Sequence, residues 1–491
     1  MTYQVTVLPQ NEVLNVQEGT GLLEALRRAG LAPDAPCGGN GTCGKCKVSV
    51  DGRQVLSCQT TVDRDMIVTL GQKAGLNVLR AGVTPDLRMD PLKAGNLIAF
   101  DIGTTSVVCF LLDGETGAEL ASASMLNPQT VYGADVISRI QSALGGTLEQ
   151  QRDLIREGMC SLIRQVCREG KTDPGQIGVV SVVGNPCMQQ LFLGISPKNL
   201  AGVPFAPVLT EAKTVACAEV LPICGNARLL VVPDISGYIG ADTMGCVLST
   251  KLYESNDIVL MVDIGTNGEM VLGNQERMIA CSTAAGPALE GANIRFGMRG
   301  TEGAIDHVWI EKGEICCSVI SGGTARGICG SGLIDAVAVL LEQKKLNKRG
   351  KMTSDTQAEG QSVIMLKDNV YLTQDDIRQV QMAKGAIYAG IVLMARQLGI
   401  EIGDIRQVQL AGAFGNYLNP QSACRIGLLP EELLERITPV GNAAGSGAKL
   451  LACDKSALPL SQKLTDRIEF LELASLPEFS RTFARSMNFR E

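Results

Sequence analysis

The chain has 491 residues, 45% of them apolar, and a formal net charge of −7. That length accommodates about three domains with buried cores, and the acidic balance argues against a nucleic-acid partner or an anionic membrane, because neither attracts a negative surface. Seventeen cysteines with no signal pattern ahead of Tyr3 point to a reducing, cytoplasmic setting, where most thiols act as small buried hydrophobes.

The first 70 residues carry the densest chemical signal. TYQVTVLP and EVLNV alternate like a hairpin, Thr20 is placed to cap a short helix that buries Leu22, Leu23 and Leu26, and Gly30 stops it. Four cysteines follow in PCGGNGTCGKCKV and LSC: Cys37, Cys43, Cys46 and Cys58, spaced C-x5-C-x2-C-x11-C. KVSVDG and DMIVTL then read as two more strands. The spacing of the first three ligands resembles plant-type and adrenodoxin-type ferredoxins, although the fourth follows sooner than in the plant type. Gly38, Gly39, Gly41 and Gly44 would let the backbone wrap a cluster and aim N–H groups at its sulfurs. A β-grasp ferredoxin domain over residues 1–70 holding a [2Fe–2S] cluster is the expectation. The competing reading, a four-cysteine zinc site, usually pairs two C-x2-C knuckles, and only one is present.

Residues 71–95, rich in Gly and Pro, read as a linker. If flexible, its ends stand on the order of 25–30 Å apart. Beyond it the sequence echoes itself. NLIAFDIGTTSVVCFLLD (96–113) and DIVLMVDIGTNGEMVLGN (257–274) each run from an apolar strand through D-I-G-T into a second strand, which suggests a duplicated domain with lobes at 96–256 and 257–491. A glycine hairpin tip exposes N–H groups, and threonine hydroxyls beside it can hold phosphates, while the preceding aspartate can reach Mg²⁺ through water. QVQLAGAFGNYLNP (407–420) reads as a buried strand ending in a Gly-rich turn suited to adenosine. The apolar stretch GAIYAGIVLMA (385–395), between Lys384 and Arg396, is too short for a membrane span. The sole histidine, His307, rules out multi-histidine metal sites, and its place beside the only tryptophan, Trp309, reads as structural.

Together these motifs resemble the actin, heat-shock-chaperone and sugar-kinase superfamily, a ribonuclease H-like α/β fold of two lobes. The resemblance implies that Asp101 and Asp263 hold Mg²⁺ and orient the attacking water; that Gly103, Thr104, Thr105, Gly265, Thr266 and Asn267 contact the ATP phosphates; and that Gly412, Ala413, Phe414 and Gly415 line the adenosine side. VVSVVGNPCMQQLFLG (179–194) and MAKGAIYAGIVLMARQLG (382–399) look like the superfamily's two segments that cross between the lobes. Glu269 is placed along a strand, Glu290 reads as a solvated carboxylate, and Gly330, Ser331 and Gly332 open a helix that could face an anion.

A ferredoxin domain joined to such an ATPase, with CSTAAGPALEGANIRFGMRGTEGAI (281–305), ISGGTARGICGSGLIDAV (320–337) and VGNAAGSGAKLLA (440–452), resembles the reductive activators of corrinoid-dependent proteins. The resemblance implies an ATP-dependent electron transfer that restores Co(I) in a Co(II) corrinoid protein, of a methyltransferase system or of the corrinoid iron–sulfur type, with an upstream electron donor. A second copy of the chain is a further candidate partner, and heavy cysteine use suits an anaerobe. The short connector suggests a form lacking the family's middle domain. Two alternatives stay open: an ATP-dependent donor to another low-potential metalloenzyme, and a metabolite kinase whose cluster senses redox state.

Overall fold

The computed structural model describes residues 1–29, 31, 33, 41, 46–70, 82–83, 87–265, 267–354, 356–358 and 360–490, without the Ala413 side chain. At the N-terminus β1 (Thr2–Leu8), β2 (Glu12–Gln17), α1 (Leu22–Arg28), β3 (Lys47–Val50), β4 (Arg53–Leu56) and β5 (Met66–Thr69) form one small domain. Its sheet runs β2-β1-β5-β3-β4, with β1 and β5 parallel and the other pairs antiparallel. Val5, Val7, Leu22, Leu26, Val48 and Val68 close the core beneath α1. The helix begins at Gly21, which gives no side-chain cap, so Thr20 does not take the capping place expected of it.

The next layer comprises β6 (Asn96–Ile102), β7 (Ser106–Leu112), β8 (Glu119–Leu126), α2 (Val136–Ser142), α3 (Leu148–Glu169), β9 (Ile177–Gly184), α4 (Pro186–Leu193), β10 (Lys213–Ala216), β11 (Arg228–Val231) and α5 (Ala241–Thr250). After it come β12 (Ile258–Ile264), β13 (Gly268–Gly273), β14 (Met278–Thr283), β15 (Ala304–Glu311), β16 (Glu314–Val319), β17 (Gly327–Ile328), α6 (Gly330–Glu342), β18 (Gln357–Ala358), β19 (Gln361–Lys367), β20 (Val370–Thr373), α7 (Gln374–Leu398), β21 (Ile405–Ala411), α8 (Gly412–Tyr417), α9 (Pro420–Ile426), β22 (Ile437–Gly441), α10 (Ala443–Cys453), α11 (Ala457–Thr465), β23 (Ile468–Phe470) and α12 (Phe479–Ser486). The two large sheets repeat one order, β11-β9-β6-β7-β8 in the first and β22-β21-β12-β13-β14 in the second. In each the opening strand pairs antiparallel with the second and parallel with the fourth.

Strict alternation explains why both sheets are covered on two faces. Along β6, Ile98, Phe100 and Ile102 pack outward under α3 and α4, whereas Leu97 and Ala99 point into a core shared by the two sheets. Along β12, Leu260, Val262 and Ile264 face α6 and α7, and Val259 and Met261 enter the same shared core.

The elements that cross between the lobes are α5 and α10. Any side chain on Gly447 would collide with the backbone of Gly245, and one on Gly245 would press on the Ala444 carbonyl, so the glycine pair permits the close crossing. Ser249 Oγ donates to the Ala443 carbonyl at 2.8 Å across that contact. In the segments expected to cross, at 179–194 and 382–399, the helices stay within their own lobes, α4 packing on β9 and α3, and α7 on β13, β14 and α12. Strand β9 does meet α10, where Ser181 Oγ donates to the Ala448 carbonyl at 2.6 Å. Their apolar helical pattern signals burial but does not reveal which partner buries them.

The second half of the expected linker is not free. Gly82 pairs with Gly441 at the edge of β22, and the Val83 N–H donates to the Val440 carbonyl at 3.1 Å. Ser446 Oγ donates to the Val83 carbonyl at 2.7 Å, and Val83, Leu87 and Met89 pack on the shared core. A flexible tether over all of 71–95 is therefore corrected: apolar residues scattered among its glycines and prolines dock it onto α10. Among the described residues no helix is long and apolar enough to cross a membrane.

Candidate functional site

Two of the four cluster cysteines lie within the described residues. The loop after β4 returns to the start of β3, where the Ser57 N–H and Oγ both donate to the Cys46 carbonyl, at 2.9 and 3.0 Å. This closure brings the Cys46 and Cys58 sulfurs 3.2 Å apart, with Cys46 buried and Cys58 half-buried. Two thiols converging at that range suit ligands of one tetrahedral iron, whose bonds to sulfur of about 2.3 Å would set them slightly farther apart. Cys37 and Cys43 lie outside the described residues.

The second site is a cleft of about 480 Å³ between the two large sheets, within the range of small-molecule sites. Both D-I-G-T hairpins open into it. Asp101 ends β6 and Asp263 ends β12, and with Gly103, Thr104, Thr105, Gly265 and Asn267 they line the cavity. Thr266 lies outside the described residues. Gly412 and Phe414, expected on the adenosine side, line the cleft, whereas Gly415 packs beneath it against Leu410. Ala413 is placed only as backbone in α8. Gly412 has φ of +80°, and a Cβ there would stand 2.5 Å from Asp263 Oδ1, so only glycine lets β21 pass the carboxylate.

Several cleft residues had no clear sequence signal. Asn442, which caps α10 by accepting from the Gly445 N–H at 2.7 Å, turns its Nδ2 to donate to Asp101 Oδ2 at 3.0 Å. Asp242 sits in the first turn of α5. Glu290, read as solvated, instead accepts from Thr105 Oγ1 at 3.3 Å across the cleft. Asn185 donates to Thr104 Oγ1 at 3.0 Å, and Asn127 to the Gly103 carbonyl at 2.8 Å. The fully buried Arg139 reaches the Thr104 carbonyl from behind. Each of these residues is a polar group near a glycine or helix start, a pattern common enough in ordinary turns to pass unnoticed.

Carboxylates dominate the electrostatics. Burial pushes the Asp101 and Asp263 carboxyls up to about 7, and repulsion from Asp242 adds to it in both. Burial likewise raises Asp242 to about 6. Glu269, paired opposite Asp263 in the sheet, is pushed well above its usual range by burial, then by Asp242 and Asp263. Acids held this close need a cation or protons to coexist. Among the described residues no three acidic, His or Cys side chains gather closely enough to hold a metal directly, so a hard divalent ion would meet these carboxylates through water.

Family models match three consecutive stretches: a 2Fe-2S iron–sulfur cluster binding domain at residues 5–69, the RACo middle region at 97–255, and the C-terminal ASKHA domain of RACo at 257–491. The chain is 31% identical to the corrinoid activation enzyme RamQ of Eubacterium limosum, covering 97% of this chain and 98% of that one. The chain belongs to the reductive activators of corrinoid proteins. It is also 27% identical, over 80% of its own length and 76% of the relative's, to the [Co(II) methylated amine-specific corrinoid protein] reductase of Methanosarcina barkeri. A solved reductive activator for corrinoid,iron-sulfur protein aligns with 99% of this chain and 98% of its own, at a TM-score of 0.73 and 28% identity. Membership corrects one expectation. The family's middle region is present, and it occupies the residues expected to form the first ATPase lobe. The D-I-G-T hairpin at its head made it read as half of a duplicated ATPase, leaving only the short connector in which to look for a middle domain.

Proposed function

We propose that this protein is an ATP-dependent reductase that returns a partner corrinoid protein from Co(II) to Co(I). The observation that carries the reading is the whole-length match to corrinoid activators, in a chain whose N-terminal domain gathers cluster thiols and whose two D-I-G-T hairpins face one acidic cleft. Cys37, Cys43, Cys46 and Cys58 would hold a [2Fe–2S] cluster, which when bound supplies one electron at low potential, near −400 mV for the plant type. Each 100 mV by which the cobalt couple lies below that level costs about 2.3 kcal/mol per electron.

ATP supplies the difference through conformation. Asp101 and Asp263 would hold Mg²⁺ beside the phosphates, with the hairpin N–H groups and threonine hydroxyls on the phosphate oxygens. Two hydrogen bonds already cross the cleft, Asn442 to Asp101 and Thr105 to Glu290, so a nucleotide that displaces or tightens them changes how the sheets sit. One arrangement favours docking of the corrinoid protein, and hydrolysis releases it. The reading is tested by mixing reduced protein, Mg-ATP and a Co(II) corrinoid protein under anaerobic conditions and following the Co(I) absorbance. Reduction that needs ATP, together with ATPase activity stimulated by the partner, is expected. Reduction equally fast and complete without nucleotide would overturn it.

A further inference from the structure

The sole histidine stands on the wall of the cleft with an acidic partner. Asp335, in the second turn of α6, is 2% exposed. Its Oδ2 lies 3.0 Å from His307 Nδ1 and 3.5 Å from the Val308 N–H. Oδ1 is also buried and has no hydrogen-bond partner among the described residues. A carboxylate oxygen accepts, so a ring N–H at Nδ1 suits this contact, and Nε2 is then the nitrogen placed to accept. The His307 side chain is 49% exposed, lines the cavity, and has Nε2 left to offer it.

The wall around it is held firmly. Ser331 Oγ donates to the Asp306 carbonyl at 2.9 Å, locking the start of α6 to β15, and Ser318 Oγ donates to Asp306 Oδ1 at 2.5 Å from β16. Arg299 and Glu290 line the same cavity, and Lys367 reaches the far side of β16 at the Cys317 carbonyl. Base, orienting carboxylate and open ring nitrogen are the parts of a positioned proton acceptor. The cleft aspartates suit that task less well, since a carboxylate holding a divalent ion loses basicity.

We propose that His307, aligned by Asp335, accepts the proton released when water attacks the terminal phosphate of bound ATP. The water oxygen bonds to phosphorus as the bond to the bridging oxygen breaks. ADP leaves with that electron pair, and one water proton passes to Nε2 and then to solvent. The proposal rests on the cleft's being the ATP site, and Asp335 acts as a positioning residue.

The full chain offers two unique probes. Trp309 lies two residues from His307 along β15, half-exposed, so its fluorescence can follow Mg-ATP binding. The single imidazole gives one ¹⁵N pair that reports the tautomer. In His307→Gln, kcat is expected to fall about 10²-fold while the Kd for Mg-ATP moves by less than about twofold. In Asp335→Asn, kcat falls about tenfold and the ¹⁵N signals leave the Nδ1–H pattern, whereas Asp335→Glu restores both in part. Unchanged turnover in His307→Gln with normal binding overturns the proposal and leaves the ATP site standing. Loss of binding and of Tm along with kcat would make the role structural and overturn it as well. Failure of the wild-type chain to bind ATP would overturn the site assignment and this inference together.

Discussion

At the first D-I-G-T hairpin the residue opposite Asp101 in the sheet is Val108, and at the second the residue opposite Asp263 is Glu269. The surroundings diverge in the same sense. The first loop is braced by neutral donors, Asn127 and Asn185, with the Arg139 cation behind it. The second has Glu269 beside its aspartate and Glu290 beside Gly265, where a Cβ would lie 3.5 Å from Glu290 Oε1. The repeat thus places the two aspartates alike, while one substitution inside it, Val108 against Glu269, and residues outside it give them different surroundings. Asp101 is tied to the opposite lobe through Asn442, and Asp263 stands on the acidic side beside Glu269.

The sharpest way to break this contrast is to neutralise each aspartate. Asp263→Asn is expected to lower ATP turnover by about 10²-fold or more, the scale of losing an electrostatic element aimed at a transferring phosphoryl group. Asp101→Asn, which keeps a hydrogen-bonding partner for Asn442, should lose about tenfold. Cluster iron content should stay unchanged in both. Equal losses in steady-state assays would show that the two hairpins work alike.

Arg139 tests the bracing of the first hairpin. Burial pushes its guanidinium down to about 10, and it donates to the Gly133 carbonyl at 2.9 Å, to the Thr104 carbonyl, and to Met188 Sδ at 3.1 Å. Arg139→Met leaves the buried Gly133 carbonyl and the half-buried Thr104 carbonyl without that donor and should cost about 3 kcal/mol of stability. Thermal unfolding would measure it. A loss below about 1 kcal/mol would mean that the loop does not depend on the cation.

The fold was legible wherever the signal was local. Alternation gave the β1–β2 hairpin and the strands β3 and β5 of the first domain but not β4, the repeat gave β6–β7 and β12–β13, and a glycine turn marked the end of β21. The cleft was legible in its repeated hairpins and in the glycine turn at Gly412 and Phe414. Asp242, Asn442 and Arg139 act on residues far away in sequence, and nothing in their own neighbourhoods says so. Close helix crossing was hidden too, because Gly245 and Gly447 look like ordinary helix glycines until their helices meet. His307 read as structural from its place beside Trp309, since its partner Asp335 lies on a different element.

The acidic side makes a prediction about pH. The Asp263 carboxyl is raised from 3.8 to about 7 by burial, then by Asp242, Asp101 and Glu290, so the folded state binds its proton more tightly than the unfolded chain does. Its contribution to stability is full below about pH 4 and is lost as pH rises through about 7. Without Mg²⁺ or nucleotide, Asp263→Asn should therefore melt higher than wild type at pH 8, by about 3 °C, and close to it at pH 5. The reverse order in differential scanning calorimetry would show that Asp263 is stabilised, not strained, by its neighbours.

The smallest effect is expected from the strand that joins the first domain to the cleft. A side chain on Gly82 would collide with the Asn442 carbonyl and crowd Ser446 Oγ, and Asn442 is the residue that holds Asp101. Gly82→Ala should therefore disturb Asp101 from a position outside both hairpins, lowering ATP turnover on the order of threefold, since small misplacements at a reacting centre are costly. Asp263 has no such link among the described contacts, so the loss should largely vanish when the substitution is made in an Asp101→Asn background but persist in Asp263→Asn. Ser446→Ala supplies the control: it removes the hydrogen bond to the Val83 carbonyl without adding bulk and should loosen the docked strand by about 1 kcal/mol. If Gly82→Ala lowers turnover equally in both backgrounds, the strand acts on the cleft as a whole and the first hairpin has no private connection to the ferredoxin domain.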